Sequence, residues 1–236
     1  MPVEDLATLH LDTLYEYDAA GLIAGIPGVI TTPRVHLLRT PDGNHWRLGA
    51  GCSPALRERL AAALAAEPVV VDPANLENRP PALDALRSLL ATEAPPANEY
   101  RGPAFAFPEH IPEPARTGDV EVVGDATGLR AAGRLAWISE VTPAERPLVI
   151  ARDANGVIVA FCHSARASDR AAAAGVETAE DARRAGYGIA TVAAWARAVR
   201  AEGRVPLYST WWGNTASRAL ARRLGLVCYG EDTHID

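Results

Sequence analysis

The sequence contains no lysine, so arginine supplies all of its positive side-chain charge, and codon bias in a GC-rich genome is the plainest cause. The formal net charge is −6, so the basic excess of a nucleic-acid binder is missing, and no nucleic-acid partner is expected. Cysteine is scarce. Cys52, Cys162 and Cys228 lie far apart and make no CxxC or Cys/His ligand spacing, which argues against a disulfide framework and a structural zinc site; no metal site is expected. No apolar run approaches the ~20 residues of a membrane span. The opening Met-Pro-Val-Glu-Asp-Leu carries acid where a secretory signal has base, so no membrane partner and a reducing cytoplasm are the expectation. No repeat of fixed period is present.

What is there is the composition of a globular protein: 236 residues, 48% hydrophobic and 22% charged. Pro and Gly cluster between Ala94 and Gly118, a stretch that resists helix and reads as a boundary. It divides the chain into an α+β domain over 1–111 and a second domain over 112–236. In the first, Leu6, Leu9, Thr13, Leu14 and Tyr17 share a helical face, and extended pieces follow around Val35–Leu38 and Trp46–Leu48. Ser53 caps a helix with Pro54 in its first position and Leu56, Leu60 and Leu64 along one side. Val69–Val71 is expected as a short buried strand, and Pro81–Ala91 as a helix with Leu83, Leu86 and Leu90 inward. None of these residues names a chemistry.

In the second half, Val120–Val123 is a short apolar segment and Asp125–Trp137 reads as a helix. Asp153-Ala-Asn-Gly156 between the apolar runs Leu148–Arg152 and Val157–Ser164 is a hairpin signal. A strand over Ala172–Thr178 leads into a long helix from near Gly186, with Ile189, Val192, Ala196 and Val199 as its apolar stripe. A strand over Pro206–Trp211, a helix over Asn214–Leu224 and an extended Leu226–Tyr229 complete the pattern.

The informative segment is Arg183-Arg-Ala-Gly186-Tyr-Gly188, placed where a strand hands over to a helix. Glycines there let backbone N–H groups approach a ligand, and a helix N-terminus carries partial positive charge, so the turn suits a pyrophosphate. Glycines also open helices for packing alone, and the third glycine of a dinucleotide fingerprint is missing. The spacing resembles the GNAT superfamily of acyl-CoA N-acyltransferases, whose hallmark is Gln/Arg-x-x-Gly-x-Gly/Ala between a strand and a helix. Downstream, Tyr208-Ser-Thr-Trp-Trp-Gly-Asn214 and the run from Ser217 to Leu224-Gly225 resemble the family's next strand, helix and closing Leu-Gly, with Asn214 and Ser217 at its Asn-x-x-Ser/Ala. The likeness spans about Asp119 to His234.

The resemblance implies a mixed β-sheet flanked by helices, an α/β (α+β) fold, and acetyl-CoA as cosubstrate. The pantetheine arm would pair with the strand carrying Val176, Glu177 and Thr178. The diphosphate would sit on the turn of Arg183, Arg184, Gly186, Tyr187 and Gly188, with Asn214 and Ser217 completing the cofactor site. Acetyl would pass directly to a primary amine in a ternary complex, Glu177 removing the amine proton and a strand N–H near Val176 or Glu177 holding the oxyanion. Glu177 is also readable as a surface carboxylate or an arginine's partner, and His163 is a second candidate base or a structural histidine. The family's tyrosine seven residues after the motif asparagine is Ala221 here. That leaves the general acid open among Tyr208, Ser217 and water. Trp211-Trp212 read as an acceptor wall or as core, and Cys162 and Cys228 as small core residues. The N-terminal domain covers or extends the acceptor site or is a degenerate GNAT-like unit, and a homodimer is compatible. The rival reading is a non-catalytic acyl-CoA-binding or regulatory module.

Overall fold

The computed structural model describes residues 3–26, 32–114 and 120–236. In chain order they form α1 (Val3–Leu14), β1 (Glu16–Tyr17), β2 (Ile23–Gly25), β3 (Val35–Thr40), β4 (Gly43–Leu48), α2 (Pro54–Ala65), α3 (Leu83–Leu90), β5 (Glu99–Ala106) and β6 (Val120–Val123). Then come β7 (Leu148–Arg152), β8 (Ile158–Ala167), β9 (Ala171–Thr178), α4 (Tyr187–Ala201), β10 (Val205–Ser209), α5 (Thr215–Arg223) and β11 (Val227–Ile235).

Two compact units divide these elements. The first comprises residues 1–105, 209–214 and 228–236; the second comprises 106–208 and 215–227. The sequence reading drew its line at 111/112, inside a stretch whose residues 115–119 lie outside those described. It treated the chain as two consecutive pieces, whereas the first unit also takes two late segments. Their place has a local cause. The amides of Thr210 and Trp212 donate to the carbonyls of Pro103 and Arg101, at 3.3 and 3.1 Å. A side chain at Gly102 would overlap the Thr210 carbonyl. The close approach therefore requires glycine.

In the first unit the strand order is β4-β3-β11-β5, with β3 antiparallel to both β4 and β11. Strand β3 is buried along its whole length, and its two faces do different work. Val35 and Leu37 pack with Leu56, Leu60 and Leu64 of α2 and Leu83, Leu86 and Leu90 of α3. His36 faces the other way, towards His10 and Tyr15. Helix α2 starts as the sequence predicts: the Ser53 hydroxyl accepts from the Leu56 amide at 3.2 Å, with Pro54 in the first turn. Val69–Val71 is not the expected buried strand. Val69 and Val71 are 47% and 79% exposed, because the three-residue run finds no partner strand before the 3₁₀ turn at Pro73–Asn75.

In the second unit the order is β10-β9-β8-β7-β6, antiparallel from β6 to β9 and parallel between β9 and β10. The hairpin β7–β8 turns as expected: Gly156 takes φ +79°, and the Asp153 carboxylate accepts from the amides of Asn155 and Val157, each at 2.9 Å. Helix α4 buries Ala190, Val192, Trp195, Ala196 and Val199. The Trp195 indole donates to the Ser164 hydroxyl at 3.2 Å. Ile138, Ile158 and Phe161 pack together with Leu135 and Leu148. The helix expected over Asp125–Trp137 is absent. Gly128 and Gly133 have φ +83° and +58°, which interrupts an α-helix, and the chain instead forms a 3₁₀ segment, Gly133–Glu140. No helix among the described residues is long and apolar enough to cross a membrane.

Candidate active site

Strand β9 has two unlike edges. On one side β8 pairs with it along its length, from Ala167↔Ala172 to Ala160↔Thr178. On the other, the ladder to β10 covers only Val205↔Ala171, Pro206↔Ala172 and Leu207↔Ala173. From Ala174 to Thr178 the β10-facing edge carries no ladder partner among the described residues, and these residues are half-buried. Such an edge offers backbone N–H and C=O groups to an extended ligand.

The open edge runs into the turn singled out by sequence. After a short 3₁₀ segment at Glu180–Ala182 the chain enters α4 through two left-handed residues, Arg184 (φ +66°) and Gly186 (φ +93°). The first helical bond within this end runs from the Ala190 amide to the Gly186 carbonyl, at 3.0 Å, so the preceding N–H groups stand before the hydrogen-bond ladder of a 15-residue helix. The two glycines serve different ends. Gly186 has open space where a Cβ would stand, and its requirement is conformational. At Gly188 a Cβ would come 2.9 Å from the Thr178 hydroxyl, so this glycine lets α4 sit against the end of β9. Arg183 and Arg184 are exposed, and Arg183 lies 3.7 Å from Glu180. The Tyr187 side chain is buried among Ala151, Val159 and Ala160, so any ligand contact of this residue is through its backbone.

Glu177 stands opposite Phe161 across the β8–β9 ladder, and His163 stands opposite Gly175, so all four share one face. The Glu177 carboxylate accepts from the Arg134 guanidinium at 2.9 Å and from the Trp137 indole at 3.3 Å. His163 is buried beside Trp137, ring centroids 5.2 Å apart, and its Nδ1 lies 3.4 Å from the Glu145 carboxylate, out of line for a hydrogen bond. Burial pushes the imidazole pKa down; Glu145 and Glu177 oppose this in part. Its Nε2 abuts Gly175, where any Cβ would collide with the ring. The sequence reading named Glu177 and His163 but missed Arg134, Trp137 and Glu145, which reach the site from loops and 3₁₀ turns far off in the chain.

Ser217 of α5 is hydrogen-bonded to the Tyr208 hydroxyl, at 2.7 Å. Tyr208 is buried, and desolvation raises its pKa to about 12, so it is a neutral phenol at physiological pH. Ala221 is fully buried, which leaves no room there for the tyrosine of the resembled family. Asn214 belongs to the 209–214 segment of the first unit.

Residues 155–234 match the family of FR47-like proteins, which is of GNAT type. This part of the chain has a GNAT-type fold. Solved structures similar to the chain include a GNAT-family protein from Novosphingobium aromaticivorans DSM 12444, described as a candidate acetyltransferase (16% identity, 59% of this chain and 65% of that one, TM-score 0.47). Two others are GCN5-related N-acetyltransferases. The one from Sphaerobacter thermophilus shows 19% identity over 65% of this chain and 56% of that one, TM-score 0.45. The one from Kribbella flavida shows 18% identity over 99% and 94%, TM-score 0.48. The chain thus spans less than two thirds of the first two proteins' length, and none of these likenesses assigns a ligand or reaction to it. No curated protein matches the chain. Within the GNAT-type region, the match encloses β8, β9, the Arg183–Gly188 turn, α4 and α5.

Proposed function

We propose that the protein is an N-acetyltransferase that carries an acetyl group from acetyl-CoA to a primary amine. The observation that carries this reading is the continuity of the open β9 edge, Ala174–Thr178, with the left-handed turn Arg183–Gly188 at the start of α4. An amide-bearing pantetheine arm fits the first, and a pyrophosphate fits the second. Val176 and Thr178 would lie along the arm. Arg183, Arg184, Gly186, Tyr187 and Gly188 would surround the diphosphate, the two arginines adding charge-assisted hydrogen bonds. Ser217 is proposed for the same cofactor.

Glu177 is the proposed general base, acting on the amine directly or through a water, and a β9 N–H near Val176 or Glu177 holds the tetrahedral oxyanion. Arg134 and Trp137 hold the Glu177 carboxylate by two hydrogen bonds, and the face it occupies is the proposed acceptor side. Attack is direct, so the chain's residues need only position, deprotonate and stabilise. The neutral Tyr208 hydroxyl, tied to Ser217, is a proton donor rather than an acceptor at physiological pH. A net charge of −6 mildly favours cationic amines as acceptors, and a cytoplasmic setting supplies acetyl-CoA.

A second reading of the base is favoured by one observation: burial keeps His163 neutral, the form that accepts a proton, on the same face as Glu177. The experiment that tests the proposed activity is release of free CoA thiol from acetyl-CoA in the presence of a panel of primary amines. Amine-dependent release supports the transferase. Acetyl-CoA binding with no release for any amine class would instead support a cofactor-binding module.

A further inference from the structure

In the first unit the fold gathers three chemistry-bearing side chains that the sequence keeps far apart. His36 lies on β3 and Asp232 on β11, whose register sets Asp232 opposite Leu38 and His234 opposite His36. Residues two apart on a strand share a face, so the imidazole and the carboxylate emerge side by side. Helix α1 lays His10 over them. All three side chains are buried, at 3%, 0% and 3% exposure.

Their polar atoms converge. Asp232 Oδ1 is 3.2 Å from His36 Nε2, and Asp232 Oδ2 is 3.3 Å from His10 Nε2. One donor atom from each residue falls within 4.8 Å of the other two. The outer ring nitrogens are already engaged: His10 Nδ1 with the Tyr229 hydroxyl at 2.7 Å, and His36 Nδ1 with the Tyr15 hydroxyl at 2.5 Å. That second layer fixes both rings with Nε2 inward, as partners of a metal-bound histidine do.

Two of the inward atoms, His36 Nε2 and Asp232 Oδ1, are fully buried and have no hydrogen-bond partner although they lie 3.2 Å apart. Contact without alignment means that neither atom is aimed at the other. A buried polar atom left so is unfavourable, and a cation seated between the atoms would satisfy both. A tetrahedral metal with bonds of about 2.0–2.1 Å holds its donor atoms about 3.3 Å apart; here each histidine Nε2 stands 3.2–3.3 Å from an Asp232 oxygen, a different oxygen for each ring, and the three donor atoms lie within 4.8 Å of one another.

We propose that His10, His36 and Asp232 bind one divalent first-row transition-metal ion such as zinc. Two imidazoles and a carboxylate with no thiolate are a nitrogen–oxygen donor set suited to such an ion. The ion neutralises a buried negative charge whose ion-pair partners among the described residues are these same histidines. The metal joins α1 to β3 and β11, through positions as far as 222 residues apart.

The test uses the full-length protein stripped with chelator. Zinc titrated calorimetrically should bind at one equivalent and raise the melting temperature, and cobalt should give a visible ligand-field spectrum without a thiolate charge-transfer band. Asp232→Asn and His10→Gln should each weaken zinc binding by at least about 100-fold, while His110→Gln, on an exposed residue, leaves it unchanged. Should a buried variant fail to fold, the wild-type stoichiometry and cobalt spectrum decide. Absence of a stoichiometric ion in the wild type, a thiolate band, or undiminished binding by a folded Asp232→Asn would overturn the proposal and leave two buried hydrogen-bonded groups, Tyr229–His10–Asp232 and Tyr15–His36.

Discussion

Glu177 separates catalysis from binding. Glu177→Gln keeps the side chain's shape and most of its hydrogen-bonding capacity but cannot take a proton at neutral pH. We expect a loss of ~10²–10⁴-fold in turnover with acetyl-CoA affinity unchanged; an unaltered turnover number would remove Glu177 from the base role. His163 yields a stability prediction with a definite sign. Burial depresses its folded-state pKa, so the unfolded chain binds a proton more readily below about 6.5. Its contribution is present above that pH and is lost as pH falls through the folded value. His163→Gln should flatten the decline of the urea midpoint between pH 7 and pH 5, and parallel curves for variant and wild type would contradict it. Short spacing singled out Arg183, Gly186 and Gly188 in the sequence, and the resemblance built on that spacing named Glu177. The partners were not legible, because Arg134 lies 43 positions from Glu177 and His10 lies 222 from Asp232, and only the fold brings them together.

At the scale of elements, what the sequence revealed was set by local chemistry. The Ser53-Pro54 cap, the Asn155-Gly156 turn and the stripe of α4 each depend on residues a few positions apart, and each is in place except that Ile189 of the stripe is only half-buried. Gly128 and Gly133 were read through as part of a helix; their positive φ angles stop it, and the resulting 3₁₀ segment is what delivers Arg134 and Trp137 to Glu177. The junction of β9 with α4 carries its own prediction. Gly188→Ala places a Cβ 2.9 Å from the Thr178 hydroxyl, so the Thr178 side chain, the helix start or the strand end must shift. Overpacking of this kind costs about 1–3 kcal/mol, to be read as a lowered melting temperature; a variant as stable as the wild type would mean that Gly188 is not placed by packing against β9.

For the whole molecule, the late segments of the first unit forbid a simple cut. A fragment of residues 112–236 retains β11 but removes β3, with which β11 pairs from Glu231↔Arg39 to Ile235↔Val35. It also removes Arg101, whose guanidinium meets the buried Glu231 carboxylate at 2.9 Å. Such a fragment should fail to fold cooperatively, seen as an insoluble product or a chemical-shift spectrum without dispersion. A well-dispersed fragment that binds acetyl-CoA would contradict the division of the chain described here. The sequence could locate a Pro/Gly-rich stretch but not this interleaving, because strand pairing across nearly 200 residues leaves no mark on local composition.

The central claim is that the turn at the start of α4 holds the diphosphate of an acyl-CoA, and calorimetric titration of acetyl-CoA into the wild type and Gly186→Val tests it most directly. Gly186 has room for a side chain in the protein alone but holds φ +93°, so valine both strains the turn and fills the space the phosphates would need. Saturable one-site binding to the wild type, lost in a variant whose circular dichroism still reports a folded chain, is the predicted result. No binding to the wild type, or equal affinity in the folded variant, would contradict it.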